Sequence, residues 1–197
     1  MHIFIFVVVC LSFALSLAFA IVLKYNYLTT AALFFIVVAD IFLLLLGYSY
    51  YAIGLIFFNI VQLLYATKIF LNRDNKRYLV PLIIQVALRL ITAIIAVIVV
   101  GLILEFHIVI VLASIYGTNF LYNLVFVGKR FKRDIMFGIG LILFALCDIF
   151  VVTLNLPYHT NITINHTVIF ALMAICYIPS QLIIALSTAH KHPSLQL

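Results

Sequence analysis

Residues 78–103 read YLVPLIIQVALRLITAIIAVIVVGLI, and Arg89 is the only charged side chain among them. An α-helix of about 20 apolar residues crosses the ~30 Å hydrocarbon core of a bilayer, so this run predicts a transmembrane helix. The whole chain has a similar composition: 68% of its 197 residues are hydrophobic, 8% are charged, and the mean hydropathy is +1.37. A soluble domain of this length could not bury so much apolar surface, which excludes soluble enzymes and nucleic-acid-binding domains.

Polar and turn residues divide the rest of the chain into further apolar runs of spanning length. The sequence therefore predicts an all-α, polytopic transmembrane helical bundle that forms a single domain over residues 1–197. The least clear boundary is Glu105-Phe106-His107, because residues 78–127 are apolar almost throughout. Seven spans are expected, near residues 3–23, 28–46, 50–71, 78–103, 106–127, 135–156 and 166–189.

Basic residues give an independent test of this number of spans. With seven spans, every lysine and arginine except Arg89 lies on one side of the membrane, whereas six or eight spans would scatter them. The positive-inside rule then places the amino terminus outside and the carboxyl terminus in the cytoplasm. Ala18-Phe19-Ala20 resembles a signal-peptidase site, but no basic segment precedes the first run, so we expect that run to remain as a span.

Three charged side chains, Asp40, Arg89 and Asp148, fall well inside the predicted spans. At 1.5 Å per residue they lie about 18, 17 and 20 Å from the cytoplasmic ends of their helices, which predicts one common level. Charged groups at that depth are costly and by default face the bundle interior at a functional site. The neutral polar residues expected near this level, which are candidates for substrate binding, are Asn59, Gln62, Asn119, Tyr177 and Gln181.

The two aspartates indicate acid–base chemistry. With only one arginine to share, one carboxyl group is expected to hold a proton while the other is ionised. The alternative is purely structural, since polar side chains in spans often only join helices through hydrogen bonds. The histidines lie near span ends or in loops, and two aspartates with Cys147 make a poor zinc set, so we expect no metal or other cofactor.

Several motifs follow one another in a recognisable order. Ala39-Asp40-Ile41-Phe42-Leu43 is followed by Tyr51-Ala52-Ile53-Gly54 and by Gln62-Leu63-Leu64-Tyr65. An apolar run from Gly140 then reaches Cys147-Asp148, and the last helix contains Tyr177-Ile178-Pro179-Ser180-Gln181-Leu182. This order resembles the lysoplasmalogenase (YhhN-like) family, whose motifs are Gly-Asp, His-x-x-Tyr, Phe-x-x-Ser-Asp and Tyr-x-x-x-Gln-x-Leu.

The chain departs from the family pattern at three motif positions and in its number of spans. Ala39 replaces a glycine, Gln62 a histidine and Cys147 a serine. The family usually has eight spans, and loss of the first would place the amino terminus outside, in agreement with the distribution of basic residues.

The resemblance implies hydrolysis of the vinyl ether bond of a lysoplasmalogen to a fatty aldehyde and a glycerophospho-head group. Asp40 and Asp148 would be the catalytic pair. Arg89 would hold the substrate phosphate or favour the ionised form of one aspartate, and Tyr177 and Gln181 would orient water or the glycerol hydroxyl. Tyr65, which matches the tyrosine of His-x-x-Tyr, would also bind substrate.

We expect a lysophospholipid and membrane lipid to be the only partners, with no nucleic acid and no protein partner, in a bacterial cell membrane. Two other functions are compatible with the same polar residues. A proton-coupled transporter would use midplane carboxylates, and a helix-packing or sensor subunit would use the polar residues only to join helices.

Overall fold

The computed structural model describes residues 27–46, 48–71, 79–104, 106–129, 134–155 and 166–187. The first predicted span and the Ala18-Phe19-Ala20 motif lie outside the described residues. Within the described ranges all the regular structure is helical and no strand occurs. The helices are α1 (Tyr27–Asp40), α2 (Tyr51–Leu71), α3 (Leu79–Leu104), α4 (Ile108–Gly128), α5 (Ile135–Asn155) and α6 (His166–Leu186).

Five of these helices, α2 to α6, are long and apolar enough to cross a membrane, and the apolar helix Tyr27–Leu43 is shorter. Large apolar side chains cover their outward faces; on α3, for example, Leu102 and Ile103 are each 73% exposed. Helices whose backbone hydrogen bonds are satisfied internally are one of the two structures that can span lipid. The expectation of an all-α architecture is confirmed, and the five apolar helices are compatible with an integral, multi-pass membrane protein.

Helix boundaries follow the sequence closely at the stretch that was least clear. Helix α3 ends at Leu104 and α4 begins at Ile108, so the predicted break at residues 105–107 is confirmed. The ring of His107 caps α4, because its Nδ1 accepts a hydrogen bond from the backbone N–H of Val109 at 3.4 Å. A side-chain acceptor at this position satisfies one of the helix's free amide groups.

The second predicted span is less regular than expected. Its α-helical geometry ends at Asp40, a π-helical segment follows over Ile41–Leu45, and a short 3₁₀ turn at Tyr48–Tyr50 leads into α2. A Cβ atom at Gly54 would lie 2.5 Å from Leu43 Cγ. The absence of a side chain at Gly54 therefore lets the π segment lie directly on α2, a close approach that small residues permit between membrane helices.

The helices form a ring in the order α1, α2, α4, α5, α6, in which each helix contacts the next and α6 contacts α1. Helix α3 lies outside this ring and packs on α4. Helices α5 and α6 approach closely at Gly140, where a Cβ atom would lie 2.6 Å from Ile184 Cγ1 and 3.3 Å from the Ser180 carbonyl oxygen. The ring encloses the core, whose fully buried side chains include Ile36, Tyr65, Leu141 and Phe144.

Candidate active site

Asp40 is the last α-helical residue of α1, and its side chain points into the ring. It is only 4% exposed. The hydroxyl group of Tyr177, on α6, donates a hydrogen bond to Asp40 Oδ2. Tyr177 is itself buried, so this hydrogen bond joins two side chains that are both shielded from the lipid.

Asp148 has a similar partner on another helix. The hydroxyl group of Tyr116, on α4, donates to Asp148 Oδ2 at 2.5 Å. Asp148 belongs to α5 and is half-buried, which makes it the more accessible of the two carboxyl groups.

The structure brings the two aspartates together, and we refer to them as the carboxyl pair. Each lies 13 residues from the start of its helix, at Tyr27 or Ile135, which corresponds to about 20 Å along the helix axis. Asp148 is close enough to act on Asp40 electrostatically. Two carboxyl groups near one another in apolar surroundings are the arrangement in which one can donate a proton while the other stabilises positive charge.

Aromatic rings surround the carboxyl pair and include both tyrosines that bind it. Tyr116 stacks on Phe120 with ring centroids 5.8 Å apart, and the centroids of Phe144 and Tyr177 are 6.3 Å apart. Phe58 joins them from α2, at 5.5 Å from Tyr116 and 5.9 Å from Phe144. Because these rings interlock across four helices, they fix the direction in which each tyrosine hydroxyl points.

Arg89 does not lie on the carboxyl pair. Its guanidinium donates to Asn123 Oδ1 at 2.8 Å and to Asn119 Oδ1 at 3.5 Å, both on α4. The rings of Tyr122 and Phe126 lie 5.4 and 5.8 Å from the guanidinium carbon. The sequence suggested a single pocket lined by two carboxylates and one guanidinium. The described residues instead form two polar clusters that share α4, because α3 packs outside the ring.

Gln62 and Asn59, on α2, mainly connect helices. Gln62 is fully buried, and both its backbone carbonyl and its Oε1 accept hydrogen bonds from Asn123 Nδ2 at 2.9 Å. Asn59 Nδ2 donates to the carbonyl oxygens of Leu55 at 2.9 Å and of Leu112 at 3.1 Å. The Leu112 bond joins α2 to α4, which favours a structural role for Asn59.

Tyr65 and Gln181 are buried polar residues whose side-chain polar atoms are all unpaired within the part of the chain that the structure describes. Among the described residues, the hydroxyl group of Tyr65 and both ends of the Gln181 carboxamide have no hydrogen-bond partner. Tyr65 lies edge-on to Phe137, with centroids 5.3 Å apart. Buried polar groups are normally satisfied, so a ligand or water molecule is the expected partner at both places.

Two site residues, Tyr116 and Asn123, were missed in the sequence. Tyr116 binds Asp148, and Asn123 joins Arg89 to Gln62. The signal was present in the spacing, since Tyr116, Asn119 and Asn123 stand at positions i, i+3 and i+7 and therefore share one face of a helix. Depth along single helices, which selected the other residues, does not reveal which face of α4 points inward.

Within the described residues, no group of three or more His, Cys, Asp and Glu side chains could hold a metal ion.

Comparison with known proteins adds no further assignment. No protein-family model, no curated protein and no solved structure matches the chain. The similarity to lysoplasmalogenases noted in the sequence motifs therefore stays a prediction.

Proposed function

We propose that this protein is a membrane hydrolase that cleaves the vinyl ether bond of lysoplasmalogens. The observation that supports this proposal best is the carboxyl pair, in which Asp40 and Asp148 interact electrostatically and each accepts a hydrogen bond from a tyrosine. The surrounding aromatic rings provide an apolar wall against which the alkenyl chain of such a lipid could lie.

The chemistry of a vinyl ether suits two carboxyl groups. One aspartic acid protonates the β-carbon of the double bond, which produces an oxocarbenium ion at the carbon attached to oxygen. The second, ionised aspartate stabilises that cation and accepts a proton from the attacking water, as in a glycosidase. The resulting hemiacetal breaks its bond to the glycerol oxygen and yields a fatty aldehyde and the glycerophospho-head group, so one water molecule is consumed and no proton is lost.

Other residues would act around this pair. Gln181 has an unsatisfied carboxamide on α6, one turn beyond Tyr177, so it could hold the attacking water or the glycerol hydroxyl. Tyr65 presents an unsatisfied hydroxyl within the same ring of helices. Arg89 lies on the neighbouring cluster, with Asn119 as one of its partners, where it would face the head group instead of the reacting carbon.

We further propose seven spans, with the amino terminus outside and the carboxyl terminus in the cytoplasm of a bacterial cell. The five apolar helices α2 to α6 would be joined by the shorter apolar helix and by the run near residues 3–23. This arrangement keeps all lysines and arginines except Arg89 on the cytoplasmic side.

The decisive experiment is to measure aldehyde release from a lysoplasmalogen by the purified protein in detergent. Wild-type protein should release aldehyde, whereas Asp40→Asn and Asp148→Asn should each abolish release while the protein remains folded. A lysophospholipid with a saturated alkyl ether is the matched control, because it has no double bond to protonate. If the wild type releases no aldehyde, or if either variant retains full activity, the proposal fails.

A proton-coupled transporter is the second candidate, and one observation favours it. The backbone changes from α-helical to π-helical geometry directly after Asp40, and Pro179, which removes a backbone donor, lies within α6 two residues after Tyr177. Discontinuous helices with midplane carboxylates are typical of transporters. In sealed liposomes a transporter would move protons with its substrate across the bilayer, whereas a hydrolase would release aldehyde without proton flux.

A further inference from the structure

Among the described residues, the side-chain hydrogen bonds of Arg89 go to asparagines and not to a carboxylate. The protein has five acidic residues in all. The hydrogen bonds to the carboxyl groups of Asp40 and Asp148 come from tyrosines, whereas Arg89 donates to Asn119 and Asn123. The remaining three lie in segments that flank helices: Asp74, Glu105 and Asp134.

Arg89 lies deep within α3. It lies ten residues from the start of α3 at Leu79, or about 15 Å along the axis, and 15 residues from the end at Leu104, or about 22 Å. Its side chain is only 8% exposed. A buried charge without a counter-ion is strongly unfavourable unless a partner of opposite charge binds to it.

The surroundings of Arg89 provide hydrogen-bond donors in excess. The Nε–H group of Arg89 and the Nε2 group of Gln62 are both buried, and neither has a partner among the described residues. The two residues stand on either side of the Asn123 carboxamide, which accepts from Arg89 at 2.8 Å and donates to Gln62 Oε1 at 2.9 Å. A positive charge beside unpartnered donors favours a negatively charged acceptor.

From this arrangement we infer that Arg89, Asn119, Asn123 and Gln62 form a binding site for a phosphate group. A guanidinium binds phosphate oxygens through parallel N–H groups, and a tetrahedral anion offers further oxygens to a donor on another helix, as Gln62 is. Helix α3 packs on α4 outside the ring, so the site lies between these two helices and Gln62 of α2. The phosphate could belong to a lipid head group or be free phosphate, and the site does not depend on whether the carboxyl pair hydrolyses anything.

The test measures ligand binding, not catalysis. The thermal unfolding midpoint of the purified protein is titrated at constant ionic strength with inorganic phosphate, with glycerol 3-phosphate and with a lysophospholipid that has a saturated alkyl ether. A monoalkylglycerol of the same chain length is the control for the apolar tail. A rise with all three phosphate compounds identifies free phosphate as a ligand, and a rise with the lysophospholipid alone identifies a head group. Equal effects of the lysophospholipid and the monoalkylglycerol, with none from the other two compounds, would refute the site.

Two variants and a control separate ligand binding from helix packing. Asn123→Asp places a carboxylate beside Arg89 and removes the donor to Gln62, so it should weaken phosphate binding about tenfold or more. Arg89→Gln should also remove the phosphate response. Lys129→Gln removes an exposed cation that lies over the same Phe126 ring, at 5.7 Å, and should bind phosphate like the wild type.

The variants also give the outcome that would overturn the site. If Asn123→Asp and Arg89→Gln both retain the wild-type phosphate response, the cluster only joins helices. Failure of the hydrolase proposal is a separate result, because it would appear as an absence of aldehyde release in protein that still binds phosphate.

Discussion

Removal of single tyrosine hydroxyl groups should affect the two members of the carboxyl pair unequally. Tyr177 donates to Asp40, which is 4% exposed, whereas Tyr116 donates to the half-buried Asp148. In Tyr177→Phe the carboxyl group of Asp40 loses a hydrogen-bond donor where water has little access. In Tyr116→Phe the carboxyl group of Asp148 can recruit another donor.

The difference in burial sets the expected magnitudes. Leaving a buried polar group unsatisfied costs about 1–3 kcal/mol, so Tyr177→Phe should lower the free energy of unfolding by about that amount. A hydrogen bond that can be replaced contributes about 0.5–1.5 kcal/mol, which is the expected cost of Tyr116→Phe. Tyr122→Phe is the matched control, because its hydroxyl lies 2.9 Å from Thr92 Oγ1, which keeps its hydrogen bond to the Leu88 carbonyl when the hydroxyl is removed. It should change stability by no more than about 0.5 kcal/mol.

The free energies of unfolding of the three variants are measured in mixed micelles with increasing denaturing detergent. Aldehyde release from lysoplasmalogen should decrease in the same order as stability. Equal losses of stability for Tyr177→Phe and Tyr122→Phe would show that the hydrogen bond to Asp40 contributes nothing. A larger loss for Tyr116→Phe than for Tyr177→Phe would refute the argument from burial.

Three further predictions concern packing, chemistry and topology. Gly140→Leu should destabilise the protein by about 1–3 kcal/mol in the same unfolding assay, because the new leucine side chain would overlap α6. Ile139→Leu, on the exposed side of the same helix, is the control and should be nearly neutral. Asp148→Asn retains an acceptor for the Tyr116 hydroxyl, so the unfolding midpoint of this variant should change little while its aldehyde release falls at least about 100-fold. A loss of stability that parallels the loss of aldehyde release would indicate a structural role for Asp148. The exposed residues Phe106 and Lys129 flank opposite ends of α4. With the native cysteines replaced by alanine, Phe106→Cys should react with an impermeant maleimide from outside the cell, and Lys129→Cys should react only after lysis. Labelling of both from one side would contradict the proposed spans.

Composition and hydrophobic runs were sufficient to predict the helices, because spanning a bilayer constrains each helix separately. The break between α3 and α4 was predicted at residues 105–107 and lies there, and α2, α5 and α6 begin within one residue of their predicted starts. The π segment after Asp40 was not predicted. It lies against Gly54 on the next helix, a contact that no local pattern in α1 reveals.

The depths of charged residues were also readable from the sequence, since the rise per residue of an α-helix is fixed. Counting from the predicted cytoplasmic ends placed Asp40 and Asp148 at one level, and in the structure Asp148 is close enough to act on Asp40 electrostatically. The same count predicted that Arg89 would join them, but depth along the axis does not determine which helices are neighbours. The structure places α3 outside the ring, so Arg89 contacts asparagines of α4 instead of either aspartate.

The sequence by itself determined that this protein is an all-α chain with helices long and apolar enough to cross a membrane and that two aspartates lie within apolar helices, because hydrophobic length and helical rise are properties of single segments. Only the tertiary structure decided the ring order of the helices, the tyrosine that binds each aspartate and the separation of Arg89 from the carboxyl pair. These features depend on which faces of different helices meet, and that is set by close contacts such as those at Gly54 and Gly140.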